Sequence, residues 1–176
     1  LVGDPTASFV YFDTAVLFPP GGVNGTYGIG GMLPGSLDGL ALPPAGAPAP
    51  FAYFQATEFS DPADQLRIFD FKVDFATPAN STFTERTGSP LTVPAFDPRP
   101  GSATTRSVVP QPGTTVGLDA LEDRLMFRLA YRNLGTSESL VMTHTVNAAV
   151  YPAYRAAVRF YDLRRSTPTG ASSIRE

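Results

Sequence analysis

Residues 124–147, RLMFRLAYRNLGTSESLVMTHTVN, hold two alternating apolar and polar runs joined by a short polar link around Gly135. In Arg124–Arg132, Leu125, Phe127, Leu129 and Tyr131 fall on one side, and Arg124, Met126, Arg128 and Arg132 on the other. A period of two marks a half-buried strand. In Leu140–Val146 the faces divide less cleanly, as expected for a strand inside a larger sheet package.

The same pattern recurs on either side. Ser8–Phe18 (SFVYFDTAVLF) and Phe51–Phe59 (FAYFQATEF) read as strands. Gln65–Phe75 sets Arg67, Phe69, Phe71, Val73 and Phe75 on one face, and Leu66, Ile68, Asp70, Lys72 and Asp74 on the other. A short strand is expected around Leu91–Phe96, and Arg155–Arg164 alternates again. Residues 19–50, broken by Pro43, Pro44, Pro48 and Pro50, read mainly as loop. So do the Pro/Gly/Ser/Thr-rich stretch 97–115 and the tail beyond Arg164. LDALED at 118–123 is the one hint of a helical turn.

At least seven strand candidates without an ordinary amphipathic helix predict an all-β fold. The expected form is a partial β-propeller-like assembly of antiparallel blades, with a β-sandwich or jelly roll as the alternative. Residues 1–97 would form N-terminal blades with long Pro/Gly-rich loops, 98–117 a linker, and 118–176 the C-terminal blade strands. A blade takes roughly 40–45 residues, so the chain supplies at most about four. The remainder is expected on another polypeptide chain or in missing blades of the same protein.

The 176 residues suffice for one cored domain. Absence of Cys excludes disulfides, thiolate metal sites and cysteine nucleophiles, without excluding secretion. No apolar stretch reaches the length of a membrane span. The chain begins LVGDPTASFVYFD, without an initiator Met or a signal-like segment, so a processed chain or a fragment is expected. Residues 1–97 hold ten acids and three bases, whereas 98–176 hold six acids and ten bases. A seam between the halves, or with another chain, could use that asymmetry. No dense Lys/Arg cluster joins an aromatic platform, which argues against nucleic acid.

QPGTTVGLDALEDRLMFRLAYRNLGTSESLVMTHTVN (111–147), followed by AVRFYDLR (157–164), resembles the interior of large, secreted bacterial β-propeller proteins. The upstream GDPTASFVYFD, MLPGSLDGLALPPAGAPAPFAYF and FDFKVDFATPANSTFT are similar to preceding blades of those proteins. The chain departs from their pattern at Phe160, where Trp is usual, and at Gly135–Ser139, where GTSES replaces GDHES. The resemblance implies an extracellular or cell-surface setting and a propeller architecture, but no activity.

Candidate chemistry is sparse. His144, the sole histidine, shares its strand face with Leu140, Met142 and Val146, and reads as a core histidine before an acid, base or ligand. Without Cys, one His makes no conventional zinc site. Ser137, Ser139 and Asp162 lie near His144 in sequence, but no GxSxG elbow exists. Asp70 and Asp74 flank Lys72 on one face, about 13 Å apart, too far for a glycosidase pair at roughly 5–9 Å. Asp13, Glu58 or Asp162 would have to join from other strands.

Arg124, Arg128 and Arg132 recur on one face over about 27 Å. They suit outer-face pairs with Asp119, Glu122, Asp123 or Glu138 better than one anion clamp. Asp61, Asp64 and the acidic turn Asp119–Glu122–Asp123 offer oxygen atoms of the kind Ca²⁺ takes, without matching a DxDxDG loop. Asn24-Gly25-Thr26 and Asn80-Ser81-Thr82 match the glycan-acceptor pattern, and read as plain loop residues in a bacterial chain. Gly28, Gly30 and Gly31 lack the βαβ setting of a dinucleotide site.

The expected role is therefore a structural or binding segment of a secreted or cell-surface propeller, recognising a partner chain or a surface glycan. The alternative is a sialidase-like propeller hydrolase acting on glycosides. A sandwich module would instead show an exposed aromatic strip, drawn from Tyr27, Tyr53 or Tyr154. The residues decide neither for nor against catalysis and name no catalytic or cofactor-binding group.

Overall fold

The computed structural model of the chain describes residues 31–99, 106–149, 153–166, 170 and 172–175. The strand expected at Ser8–Phe18 lies outside them, as do Asp13, Asn24 and Tyr27. The described strands are β1 (Leu33–Leu37), β2 (Ala49–Gln55), β3 (Gln65–Lys72), β4 (Thr82–Glu85), β5 (Leu91–Thr92) and β6 (Ser107–Val109). They continue as β7 (Leu118–Asp119), β8 (Met126–Asn133), β9 (Ser137–Asn147), β10 (Ala156–Ser166) and β11 (Ser172–Arg175). The fold is all-β.

The strands form one curled, open sheet in the order β11-β10-β9-β8-β1-β2-β3-β4, a half-barrel, with β5 also paired to β3. β6 and β7 make a separate two-stranded sheet. Two antiparallel meanders, β1–β4 and β8–β11, are thus joined at their first strands. β1 serves both: Leu33 and Pro34 pair antiparallel with Ala52 and Phe51, while Gly35–Leu37 pair parallel with Leu129–Tyr131. Gly35 sits at that change of partner. A Cβ there would lie 2.7 Å from Pro50 Cγ and 3.0 Å from the Pro50 carbonyl oxygen, so only glycine fits.

Curling brings the inward faces of the meanders together. Ala52, Phe54, Leu66 and Ile68 from β2 and β3 meet Leu129, Tyr131, Leu140, Met142, Tyr161 and Leu163 from β8–β10, with Val93, Phe96 and Leu125 completing the core. The outward face of the first meander is also aromatic. Tyr53 and Phe69 stack at 5.9 Å, Phe69 and Phe83 at 5.4 Å, and the Arg67 guanidinium lies over both Tyr53 and Phe69. Glu85 holds Arg67 in place from β4.

A buried ion network also ties the halves. Arg86, just after β4, donates through Nη2 to Asp70 Oδ1 at 2.5 Å and through Nε to both Asp70 oxygens. Its Nη1 lies 3.5 Å from Glu138 Oε1 on β9. Glu138 is paired with Arg165 Nη2 at 2.6 Å and accepts a hydrogen bond from the Tyr131 hydroxyl at 3.1 Å. Burial, with Glu138 beside it, pushes the Tyr131 hydroxyl up to about 12. Arg86 and Glu138 are almost wholly buried.

Several features differ from the sequence reading, among them strand β11 in the tail read as loop and the end of β2 at Gln55 instead of Phe59. β3 stops at Lys72, because the Asp74 carboxylate accepts hydrogen bonds from the Ala76 and Thr77 amides and turns the chain. Phe75 is consequently exposed. Within β8, Met126 opposes Thr143 and Ala130 opposes Val141, so the strand carries extra residues. That bulge re-aims Phe127, which is 86% exposed instead of sharing the core with Leu125, Leu129 and Tyr131. Finally, LDALED opens with strand β7, and β6 arises in the stretch read as linker.

Removing one member of a buried ion group leaves its partners uncompensated. Glu138→Ala is expected to lower unfolding stability by about 3–5 kcal/mol, and Lys72→Ala, on the surface, by under about 0.5 kcal/mol. Urea-unfolding midpoints measure both; equal midpoints would show that the network holds nothing.

Candidate functional site

His144 lies at the seam between the meanders. Its ring is fully buried, 4.7 Å from the Phe54 ring, 4.5 Å from Phe96 and stacked at 5.5 Å on Tyr161. Nδ1 is 3.0 Å from the Thr145 carbonyl, which can only accept, so Nδ1 carries the proton. Nε2, 3.0 Å from the Tyr161 hydroxyl, is then the acceptor. Burial pushes its pKa down to about 4. Both nitrogens are occupied, as expected of a core histidine.

Ser139 and Asp162 do meet, the serine hydroxyl donating to Asp162 Oδ1 at 2.6 Å. They lie on the outward face of β9 and β10, however, while His144 points inward with Leu140 and Met142. Strand parity thus separates the histidine from the other two groups. Arg164 Nε completes the outward group, 2.7 Å from Asp162 Oδ2.

Asp61 and Asp64 are held by backbone amides, whereas Glu122 keeps one buried oxygen without a hydrogen-bond partner. Asp61 Oδ2 accepts the Ala56 N–H at 2.8 Å, and Asp64 takes the Thr57 and Phe96 amides at 2.7 and 2.8 Å. These carboxylates shape the chain after β2, with their oxygens turned to backbone donors. Burial pushes the Asp61 carboxyl up to about 6. Glu58, in the turn after β2, is likewise raised by burial.

Asp119 pairs with Arg106, and Asp123 with both Arg124 and Arg106. The hydrogen bonds from Arg124 hold Asp123 down to about 2. Arg128 and Arg132 both reach Asp38, in the turn after β1. That partner is distant in sequence and was not among the acids expected. Asp70 and Asp74, both near the C-terminal end of β3, serve different structures, Asp70 bound to Arg86 and Asp74 capping the turn beyond the strand. Among the described residues, no group of three His, Asp or Glu could hold a metal ion, and no helix is long and apolar enough to cross a membrane. Tyr53 is buried beneath Arg67 and Tyr154 is half-buried, so the two do not form an exposed strip.

The feature that stands open is on the outward face of the second meander. The β6–β7 sheet is tied to it where Thr145 Oγ1 donates to the Ala120 carbonyl at 2.5 Å. A groove of about 260 Å³ runs between them, lined chiefly by Val109, Leu118, Ala120, Met126, Ala157 and Val158. Val158 is 66% exposed and Phe160, next on the same face, 51%. Asp119 at the rim is paired with Arg106. The surface is apolar, and its nearest charges already have partners.

Period-two patterning marks Val158 and Phe160 as one face of β10, but not whether that face is covered. The groove also needs β6 and β7, two- and three-residue strands too short to show a pattern.

The chain matches no protein-family model, no curated protein and no solved structure.

His144 and Asp61 give opposite pH dependences. The folded-state pKa of His144 lies below its unfolded value of 6.5, so stability is lost as pH falls from 6.5 to about 4. That of Asp61 lies above its unfolded 3.8, so stability is lost as pH rises from 3.8 to about 6. The two effects oppose each other between pH 4 and 6. Asp61→Asn is therefore expected to lose more stability than the parent chain as pH falls from 6.5 to 4. Thermal midpoints across that range check this, and parallel profiles would rule it out.

Proposed function

We propose that this chain is a structural or binding segment of a secreted or cell-surface β-propeller protein, and that it docks another polypeptide. The propeller reading draws support from the topology. Each meander is a four-stranded antiparallel sheet in sequential order, the first strands lie side by side and parallel, and the inward faces pack together. The four-stranded antiparallel meander is the unit of a propeller blade, although the hydrogen-bonded join of β1 to β8 makes one continuous sheet where blades would be separate. The extracellular setting comes with the sequence resemblance and rests on it.

The observation that carries docking is the outward face of β10, where Val158 and Phe160 are exposed beside an apolar groove. Contiguous apolar surface of this kind marks interaction sites. A polypeptide suits it better than a glycan, since Thr145, Asp119 and Asp162 are already engaged by protein partners. The hydrolase alternative gains no support from Asp61, Asp64, Asp70, Asp123 and Glu138, whose carboxylates are bound to amides or arginines.

Native mass of the chain purified without denaturant is expected to exceed 18.7 kDa, through self-association or a retained partner. Val158→Asp combined with Phe160→Ser should return it to the monomer mass with an unchanged circular-dichroism spectrum. A parent chain that stays monomeric at high concentration would overturn the docking reading.

A further inference from the structure

We infer that the occupant of the β6–β7 groove is the β1–β2 loop of a second copy of this chain, so that copies join head to tail. The inference rests on the proposed docking role of this face and names its partner. The loop after β1 presents Leu40 at 102% and Leu42 at 71% exposure, the most outward pair of leucines among the described residues.

The loop is well anchored. Asp38 donates its amide to the Tyr131 carbonyl at 2.7 Å, and its carboxylate faces Arg128 and Arg132. Asn133 Nδ2 donates to the Leu42 carbonyl at 2.6 Å, and the Ala47 amide to that of Pro44 at 2.9 Å. Pro43 and Pro44 further restrict the backbone. Two leucines held outward in this way lose little further freedom on docking.

The groove is their chemical match. Its wall is aliphatic, and 260 Å³ is below the usual range of small-molecule pockets, roughly 300–1,000 Å³. That space suits one or two side chains. Beyond Asp38, which is paired, residues 39–50 carry no charge. The only charged groove residue is Asp119, also paired. Neither surface would strand an ion on contact.

Loop and groove lie at opposite ends of β8: Asn133 holds the loop and Met126 lines the groove, about 20 Å apart along the strand. One copy does not fill its own groove with this loop. A contact between different surfaces is heterologous, and successive copies build a ring or a filament.

Complementation tests this directly. Leu40→Asp disables the loop and leaves the groove, whereas Val158→Asp disables the groove and leaves the loop. Both positions are exposed, so the fold should tolerate each change, as circular dichroism will show. Each variant alone is expected to be monomeric by native mass. An equimolar mixture should give a heterodimer that grows no further, while the parent chain forms larger assemblies. A parent chain that associates while the mixture stays monomeric would overturn the inference and leave the docking face standing. A monomeric parent chain would overturn both.

Discussion

The Arg86 guanidinium is the group on which the arrangement of the two halves depends. It follows a short edge strand, lies almost wholly out of solvent, and faces Asp70 from its own meander and Glu138 from the other. A buried cation is tolerable only where its donors are met. Asp70 supplies close contacts, and Glu138 balances Arg165 as well. Apolar burial supplies most of the drive for closing the half-barrel. The ion group adds a directional requirement: β4 must end opposite the start of β9, or charges are left bare.

The same logic explains the curl. β1 is only five residues long and divides them between two neighbours, so the sheet must turn at Gly35. On the concave side the turn lets Phe54 of β2 reach His144 of β9. There the imidazole fills space as an aromatic disc while Tyr161 and the Thr145 carbonyl satisfy its nitrogens. On the convex side the two meanders differ. The first carries an aromatic cluster under Arg67, and the second an aliphatic and phenyl surface with a groove. Function, on the present reading, belongs to the second.

Much of the fold was legible in residues. The runs expected at Leu140–Val146 and Arg155–Arg164 correspond to β9 and β10, although β9 begins three residues earlier, inside the stretch read as a polar link. The inward placement of Leu140, Met142 and His144 followed directly. Leu66 and Ile68 likewise fell inside together. What escaped the reading has physical reasons. β4, β6, β7 and β11 have two to four residues each, too few for a period to appear. The β8 bulge adds residues within an otherwise regular strand, so Phe127 leaves the face that strict alternation assigns it. Asp38 pairs with arginines some ninety residues away, and Asp61 and Asp64 bind backbone amides. Such partners depend on tertiary approach, which local spacing does not encode.

The central claim is that both meanders close on one core and open together. Native-state hydrogen exchange tests it at the amides of Leu66 and Ile68 in β3 and of Leu140 and Met142 in β9, which lie in separate halves of the sheet. A shared core predicts one common opening free energy at all four, falling in parallel with added denaturant. Two distinct free energies, with one half exchanging while the other stays protected, would mean that the meanders fold as separate units and that the seam at Arg86 and His144 does not bind them into one.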